Sequence, residues 1–237
     1  MRLKLVFALE NNKIDIQYRK SIISWIKHSL EDYDENLYKE IYDSNHKKTF
    51  TFATILPKPQ FTKEEITLKD SQFSVVFSAY NYVYALHIYN AFLKQKYQKY
   101  SLHQNSMTLT NMILIPEKEI IENEITIKMS SPLITRNHDR ETLKDIYYAF
   151  NKEGFETYLK INIEEQLQAE NLDTKILEEF KIIPVQAKKI VIPVYEKMIE
   201  CSIGIFKLQG DKTLLNYLYR AGIGAKKAMG FGLFEVI

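Results

Sequence analysis

The segment Gly222-Ile223-Gly224-Ala225-Lys226-Lys227-Ala228-Met229-Gly230-Phe231-Gly232 carries the clearest chemical pattern in the chain. Four of the seven glycines fall here, as two Gly-apolar-Gly units flanking a stretch that holds two lysines. Glycine tolerates positive φ and lets a backbone come close to a ligand. Main-chain amides bared in such a loop form a concavity for anions, and lysines add full charge. The pattern points to a phosphate-binding loop with Gly222, Gly224, Lys226, Lys227, Gly230 and Gly232 as its contacts. A helix C-cap followed by a bulged strand is the plainer explanation, and it accounts for one or two of the glycines.

Other chemistries find little support. The five histidines (His28, His46, His87, His103, His138) show no metal-ligand spacing, and Cys201 is the single cysteine. No metal, disulfide or zinc finger is expected. Walker, Rossmann and nucleophile-elbow motifs are absent, so no cofactor is expected either.

The elements around the loop define the fold class. Residues 2–9 alternate as a strand, 16–30 and 35–42 read as helices, and 49–56 is a β-branched and aromatic strand stopped by Pro57 and Pro59. Residues 66–69 and 72–78 predict a hairpin across Asp70-Ser71. Residues 80–96 predict a helix with a stripe of Val83, Leu86, His87, Asn90 and Leu93, and 106–115 a closing strand. In the second half, 125–134 reads as a strand, 139–168 as largely helical with a break near Gly154, 180–193 and 197–208 as long strands, 212–220 as a helix and 231–237 as a final strand. Each half is β-α-β-β-α-β. The expected class is α+β, two tandem ferredoxin-like (RRM-like) domains, residues 1–118 and 119–237.

Composition adds bounds. The 237 residues are 46% hydrophobic, enough for a sizeable core. No apolar run suits a membrane span, the N-terminus reads as a strand rather than a signal peptide, and one cysteine suggests a reducing, cytoplasmic setting. The net charge of +2 is too small to identify a nucleic-acid binder by itself.

The glycine loop closely resembles the signature of the repeat-associated RNA-binding superfamily of CRISPR systems. Within it, the match is to the endoribonucleases that cut CRISPR precursor RNA within its repeats: Gly-apolar-Gly, about five residues rich in Lys or Arg, then Gly-apolar-Gly near the C-terminus. The segment Asn45-His46-Lys47-Lys48-Thr49-Phe50-Thr51-Phe52-Ala53 resembles that family's junction of a His, a Lys and a Phe-Thr-Phe-Ser-like strand. Two departures stand out. Ala53 replaces the Ser, and the family's wider His-to-Lys spacing lands on Tyr42 rather than His46.

The resemblance implies RNA cleavage without a metal ion: the 2′-hydroxyl attacks the adjacent phosphorus, leaving a 2′,3′-cyclic phosphate and a 5′-hydroxyl. It implies His46 as base or acid, Lys48 as stabiliser of the developing charge, and Tyr42 or Tyr38 as orienting group or donor, with His28 in reserve. Lys47 joins the loop residues on RNA phosphates. The implied partner is CRISPR repeat RNA, as precursor and as mature guide. Effector-complex subunits and a second copy of the chain remain open partners. A non-catalytic RNA-binding subunit of an effector complex is the alternative, and a ferredoxin-like fold for a small phosphorylated ligand is a third reading.

Overall fold

Leu3, Leu5, Phe7 and Leu9 are buried on alternate positions of the first strand, β1 (Arg2–Leu9), and this alternation starts the first core. A computed structural model describes residues 1–42, 48–139, 141–195 and 197–237. It forms two compact units, Met1–Lys48 with Ala53–Glu117, and Thr49–Phe52 with Lys118–Ile237.

From β1 the chain continues through helices α1 (Tyr18–Tyr33) and α2 (Glu35–Tyr42), strand β2 (Phe50–Ile55, of which Phe50–Phe52 belong to the second unit), strand β3 (Gln72–Ala79), helix α3 (Tyr82–Lys94) and strand β4 (Ser106–Ile115). Asp34 ends α1 and starts α2, its Oδ1 accepting from the amides of Asn36 (2.9 Å) and Leu37 (3.1 Å). Asn81 caps α3 in the same way, accepting from the amides of Val83 and Tyr84. The sheet order is β2-β3-β1-β4, with Lys99–Ser101 beyond β4. β1 pairs antiparallel with both neighbours, Leu5 facing Val75 and Met112. This is the ferredoxin-like order. Trp25 of α1 seats the helices on the sheet, its ring 4.9 Å from Phe7 and 4.8 Å from Phe92.

The second unit repeats the plan. β5 (Glu124–Met129) leads through a hairpin, β6 (Thr135–His138) and β7 (Asp145–Tyr148), to helix α4 (Phe155–Ala169). The long strands β8 (Lys181–Val194) and β9 (Lys197–Gln209), helix α5 (Lys212–Ala221) and the short strand β10 (Phe234–Val236) complete it. Its order is β8-β9-β5-β10, again ferredoxin-like. Asp211 caps α5 by accepting from the Thr213 amide at 2.7 Å.

Four expectations change. Residues 65–67 pair with 13–15 and 60–61 in a separate small sheet, not with β3, because Ile66 and Ile14 bury each other across that pairing. The expected helix over residues 139–168 begins only at Phe155: Thr135–His138 and Asp145–Tyr148 pair as a hairpin, and this β-pairing outweighs local helix propensity. The expected stripe of α3 faces outward, with Val83 67% exposed, while Ala85, Ile88, Ala91 and Phe92 form the buried face. The last strand is confined to Phe234–Val236, since Gly230–Leu233 is held in the glycine loop. Among the described residues, no helix is long and apolar enough to cross a membrane.

Removing the Trp25 ring leaves a large void between α1, α3 and β1. Trp25→Ala is expected to lower unfolding free energy by about 3–5 kcal/mol, read from the shift of a denaturant midpoint; a loss under about 1 kcal/mol would contradict this packing.

Candidate RNA-processing site

The glycine loop is part of the second unit's core. Gly222 ends α5 with φ +81°, its amide bonded to Leu218 O. The two Gly-apolar-Gly units then lie against each other: the Ile223 amide donates to Gly232 O at 2.9 Å, and Ile223 and Phe231 are fully buried. The amides of Ala225, Gly230 and Gly232 donate to Ile134 O, Lys227 O and Pro132 O, and that of Leu233 to Ser131 Oγ. The expectation of bare amides facing a ligand is therefore corrected at these positions, because the protein's own carbonyls and a hydroxyl take their hydrogen bonds.

The glycines are required by contact. A Cβ at Gly222 would lie 2.7 Å from Thr51 Cγ2, and one at Gly230 would lie 2.6 Å from the Phe52 ring. A Cβ at Gly224 or Gly232 would strike the carbonyl oxygen of Ile134 (2.4 Å) or Ile223 (2.0 Å). All four have φ near +80°, where L side chains are strained. Thr51 Oγ1 donates to Phe231 O at 2.6 Å, both groups buried. The Phe50-Thr51-Phe52 motif and the glycine loop are thus two halves of one packed interface within the second unit. The packing explanation accounts for all four glycines.

The two lysines part company. Lys227 is 5% exposed, its Nζ 5.7 Å from the centroid of the Tyr217 ring. Burial corrects its expected place on a phosphate. Lys226, with φ +55°, turns towards the β6–β7 hairpin, where its Nζ is 3.8 Å from Asp145 Oδ2 and 6.0 Å from the Tyr147 ring centroid. Burial, together with the charges of Arg136 and Lys197, weakens its hold on a proton.

Of the junction, Lys48 and Ala53 belong to the first unit and Thr49–Phe52 to the second. His46 and Lys47 lie outside the described residues. Tyr42, at the end of α2, stacks on Tyr38 with ring centroids 5.3 Å apart. The ammonium groups of Lys27 and Lys48 each lie 4.9 Å from the Tyr42 ring centroid. Among the described residues the Tyr42 hydroxyl is buried without a hydrogen-bond partner. Burial, with Tyr38 beside it, pushes the phenol's pKa well above its usual value, so the ring stays a neutral hydroxyl. Burial and the neighbouring Lys27 charge both lower the pKa of Lys48, making its ammonium a stronger acid than a surface lysine.

Lys27 escapes sequence reasoning because α1 presents it one position, about 100°, from His28. His28 turns instead towards Tyr100, with ring centroids 5.5 Å apart. Only the helix-end packing of α1 and α2 reveals the pairing of Lys27 with Tyr42. Tyr100 bonds Ser24 at 2.8 Å, so it packs on α1. Among the described residues no group of three or more His, Cys, Asp or Glu converges as a metal site.

Gly230→Ala combines a forbidden φ with a clash on Phe52, and is expected to cost about 2–4 kcal/mol of stability. Thr51→Val, which leaves Phe231 O buried without its donor, is expected to cost about 1–3 kcal/mol. Denaturation of each variant reads both; unchanged midpoints would contradict the interface.

Comparison with known proteins agrees with this architecture. A curated relative, the CRISPR-associated endoribonuclease Cas6 1 of Methanocaldococcus jannaschii, is 23% identical over 240 residues, covering 98% of this chain and 91% of the relative. Among solved structures, a Cas6-related protein of Pyrococcus furiosus superposes with a TM-score of 0.87 at 20% identity, over 100% of this chain and 98% of the other. An RNA-binding protein of the repeat-associated class, described as binding different RNA substrates, superposes with a TM-score of 0.86 at 20% identity, over 100% and 99%. The family model for the C-terminal part of the CRISPR-associated protein Cas6 matches residues 115–236, more than half of the chain. The chain belongs to the Cas6 family.

Proposed function

We propose that this protein is an endoribonuclease that cuts CRISPR precursor RNA within its repeats and releases guide RNAs. One observation carries the chemical assignment: two ammonium groups converge on one buried, neutral phenol at Tyr42. Attack of a ribose 2′-oxygen on phosphorus builds negative charge on the phosphorane and expels the 5′-oxygen, which must gain a proton. Cations beside that phosphorus stabilise the charge. A lysine whose proton is loosened, or a phenol that retains its own, can supply the proton to the leaving oxygen.

In this reading Lys48 and Lys27 stabilise the phosphorane, and Lys48 or Tyr42 protonates the 5′-oxygen. His46, two residues before Lys48, takes the 2′-hydroxyl proton, since imidazole exchanges protons near neutral pH. Lys47 and Lys226 hold backbone phosphates. Gly222, Gly224, Gly230 and Gly232 fix the turn that presents Lys226, while Lys227 anchors the turn beside Tyr217.

Repeat RNA incubated with the protein in EDTA is expected to be cut, and the same RNA with one 2′-deoxy residue just upstream of the cut is expected to survive. His46→Ala should slow cutting by roughly a hundredfold or more while RNA binding persists. Binding without cutting of any repeat RNA would leave an RNA-binding subunit in place of the nuclease.

The lowered Lys48 pKa sets a pH limb. The protonated ammonium is the active form, so the rate, corrected for uncatalysed hydrolysis, should fall as pH rises through that lowered value. Lys27→Gln removes the neighbouring charge and should move this limb to higher pH. A limb that stays in place in Lys27→Gln would remove Lys27 from the site.

A further inference from the structure

We infer that Arg136, His138 and Lys226, grouped around Asp145, form a binding site for one phosphate of the RNA backbone. The inference rests on the RNA reading above and adds to it a site outside the junction and beyond the glycines. Its frame is the β6–β7 hairpin. The pairing sets Arg136 opposite Tyr147 and His138 opposite Asp145, so alternate positions place all four side chains on one face. Asn162 of α4 fixes the strand, accepting from the Arg136 amide at 2.9 Å and donating to Arg136 O at 2.7 Å. The cluster is therefore held in place before a ligand arrives.

Asp145 gathers the cations. Its Oδ1 lies 2.8 Å from His138 Nδ1 and 3.3 Å from Arg136 Nη1; its Oδ2 accepts from the Tyr147 hydroxyl at 2.9 Å and faces Lys226 Nζ at 3.8 Å. Burial alone would raise the Asp145 pKa, but the hydrogen bonds from His138 and Tyr147 and the charges of Arg136 and Lys226 hold it below the ordinary carboxylate value. One carboxylate does not balance the set. Arg136 and Lys226 are both cationic, and Lys197 adds a third positive charge felt at Lys226.

That excess is what an anion would relieve. Like charges held together by a fold repel; burial first, and then the charges of Arg136 and Lys197, weaken the hold of Lys226 on its proton. Arg136 uses Nη1 on Asp145 while its Nε is buried without a hydrogen-bond partner among the described residues. The Arg136 side chain keeps 24% of its surface exposed, and a planar guanidinium suits the two non-bridging oxygens of a phosphodiester. Lys226 adopts φ +55°, a conformation that non-glycine residues seldom take. The loop thus accepts strain at the residue that delivers an ammonium to this cluster.

The test uses the full-length protein and a repeat RNA made uncuttable by one 2′-deoxy residue. Binding is measured across salt concentrations, and again with RNAs carrying a single uncharged methylphosphonate linkage at each position in turn. Arg136→Gln is expected to reduce the slope of log affinity against log salt by about 0.7–0.9, the value of one phosphate contact. One linkage should weaken the wild-type protein when neutralised yet leave Arg136→Gln unaffected. Losses that are equal in both proteins at every linkage overturn the inference. Should Arg136→Gln fail to fold, Asp145→Asn serves: relieving the cations of their carboxylate should tighten RNA binding and steepen the slope, and an unchanged or shallower slope overturns the site.

Inorganic phosphate, added at matched ionic strength, separates the two sources of the anion. Phosphate that protects Arg136 without any linkage-specific coupling would make this a free-phosphate site and overturn the backbone assignment. A wild-type protein that binds no repeat RNA removes the nuclease reading as well. One that binds and cuts while Arg136→Gln keeps its slope removes the phosphate site alone.

Discussion

The second unit depends on how closely its glycine loop can approach the Phe50-Thr51-Phe52 strand. Side chains at Gly222 and Gly230 would occupy space already filled by Thr51 and Phe52, and the Thr51 hydroxyl closes the contact on Phe231 O at 2.6 Å. Two segments about 180 residues apart in the chain are thereby made interdependent. Phe231, whose carbonyl takes the Thr51 hydroxyl, is itself packed in a cluster with Ile134, Val194, Ile199, Cys201 and Ala225.

This constraint bears on chemistry through chain continuity. The strand gripped by the glycine loop begins at Phe50, two residues after Lys48, the residue proposed to meet the phosphorane. At the other end of the interface, the same loop orients Lys226 towards Asp145. Glycines that look like ligand contacts in the sequence instead set the backbone path of the loop that carries Lys226. Electrostatic preorganisation of this kind costs little rearrangement when an anion binds.

The two clusters set proton affinity by different means. Around Tyr42, burial keeps the phenol neutral while loosening the Lys48 proton, an arrangement suited to donating rather than accepting protons. Around Asp145, donors and cations keep the carboxylate ionised despite burial. The β6–β7 hairpin that builds the second cluster is absent from a reading of local propensity, since its alternation of Arg136, His138, Asp145 and Tyr147 is brief and lies beside a true helix.

By itself the sequence determined the β-α-β-β-α-β frame of each half without the β6–β7 hairpin, the ferredoxin-like class, and, through the glycine loop, the resemblance to the repeat-processing nucleases. Those features are local: they depend on periodicities of two and 3.6 residues and on glycine spacing, which need no distant partner to be recognised. Tertiary structure decided what the glycines do, which lysine is buried, and that Lys27 rather than His28 faces Tyr42. It also turned the apolar stripe of α3 outward and made a hairpin of residues read as helix. Each of these outcomes depends on which distant atoms occupy the neighbouring space, and contact of that kind leaves no periodic trace in the chain.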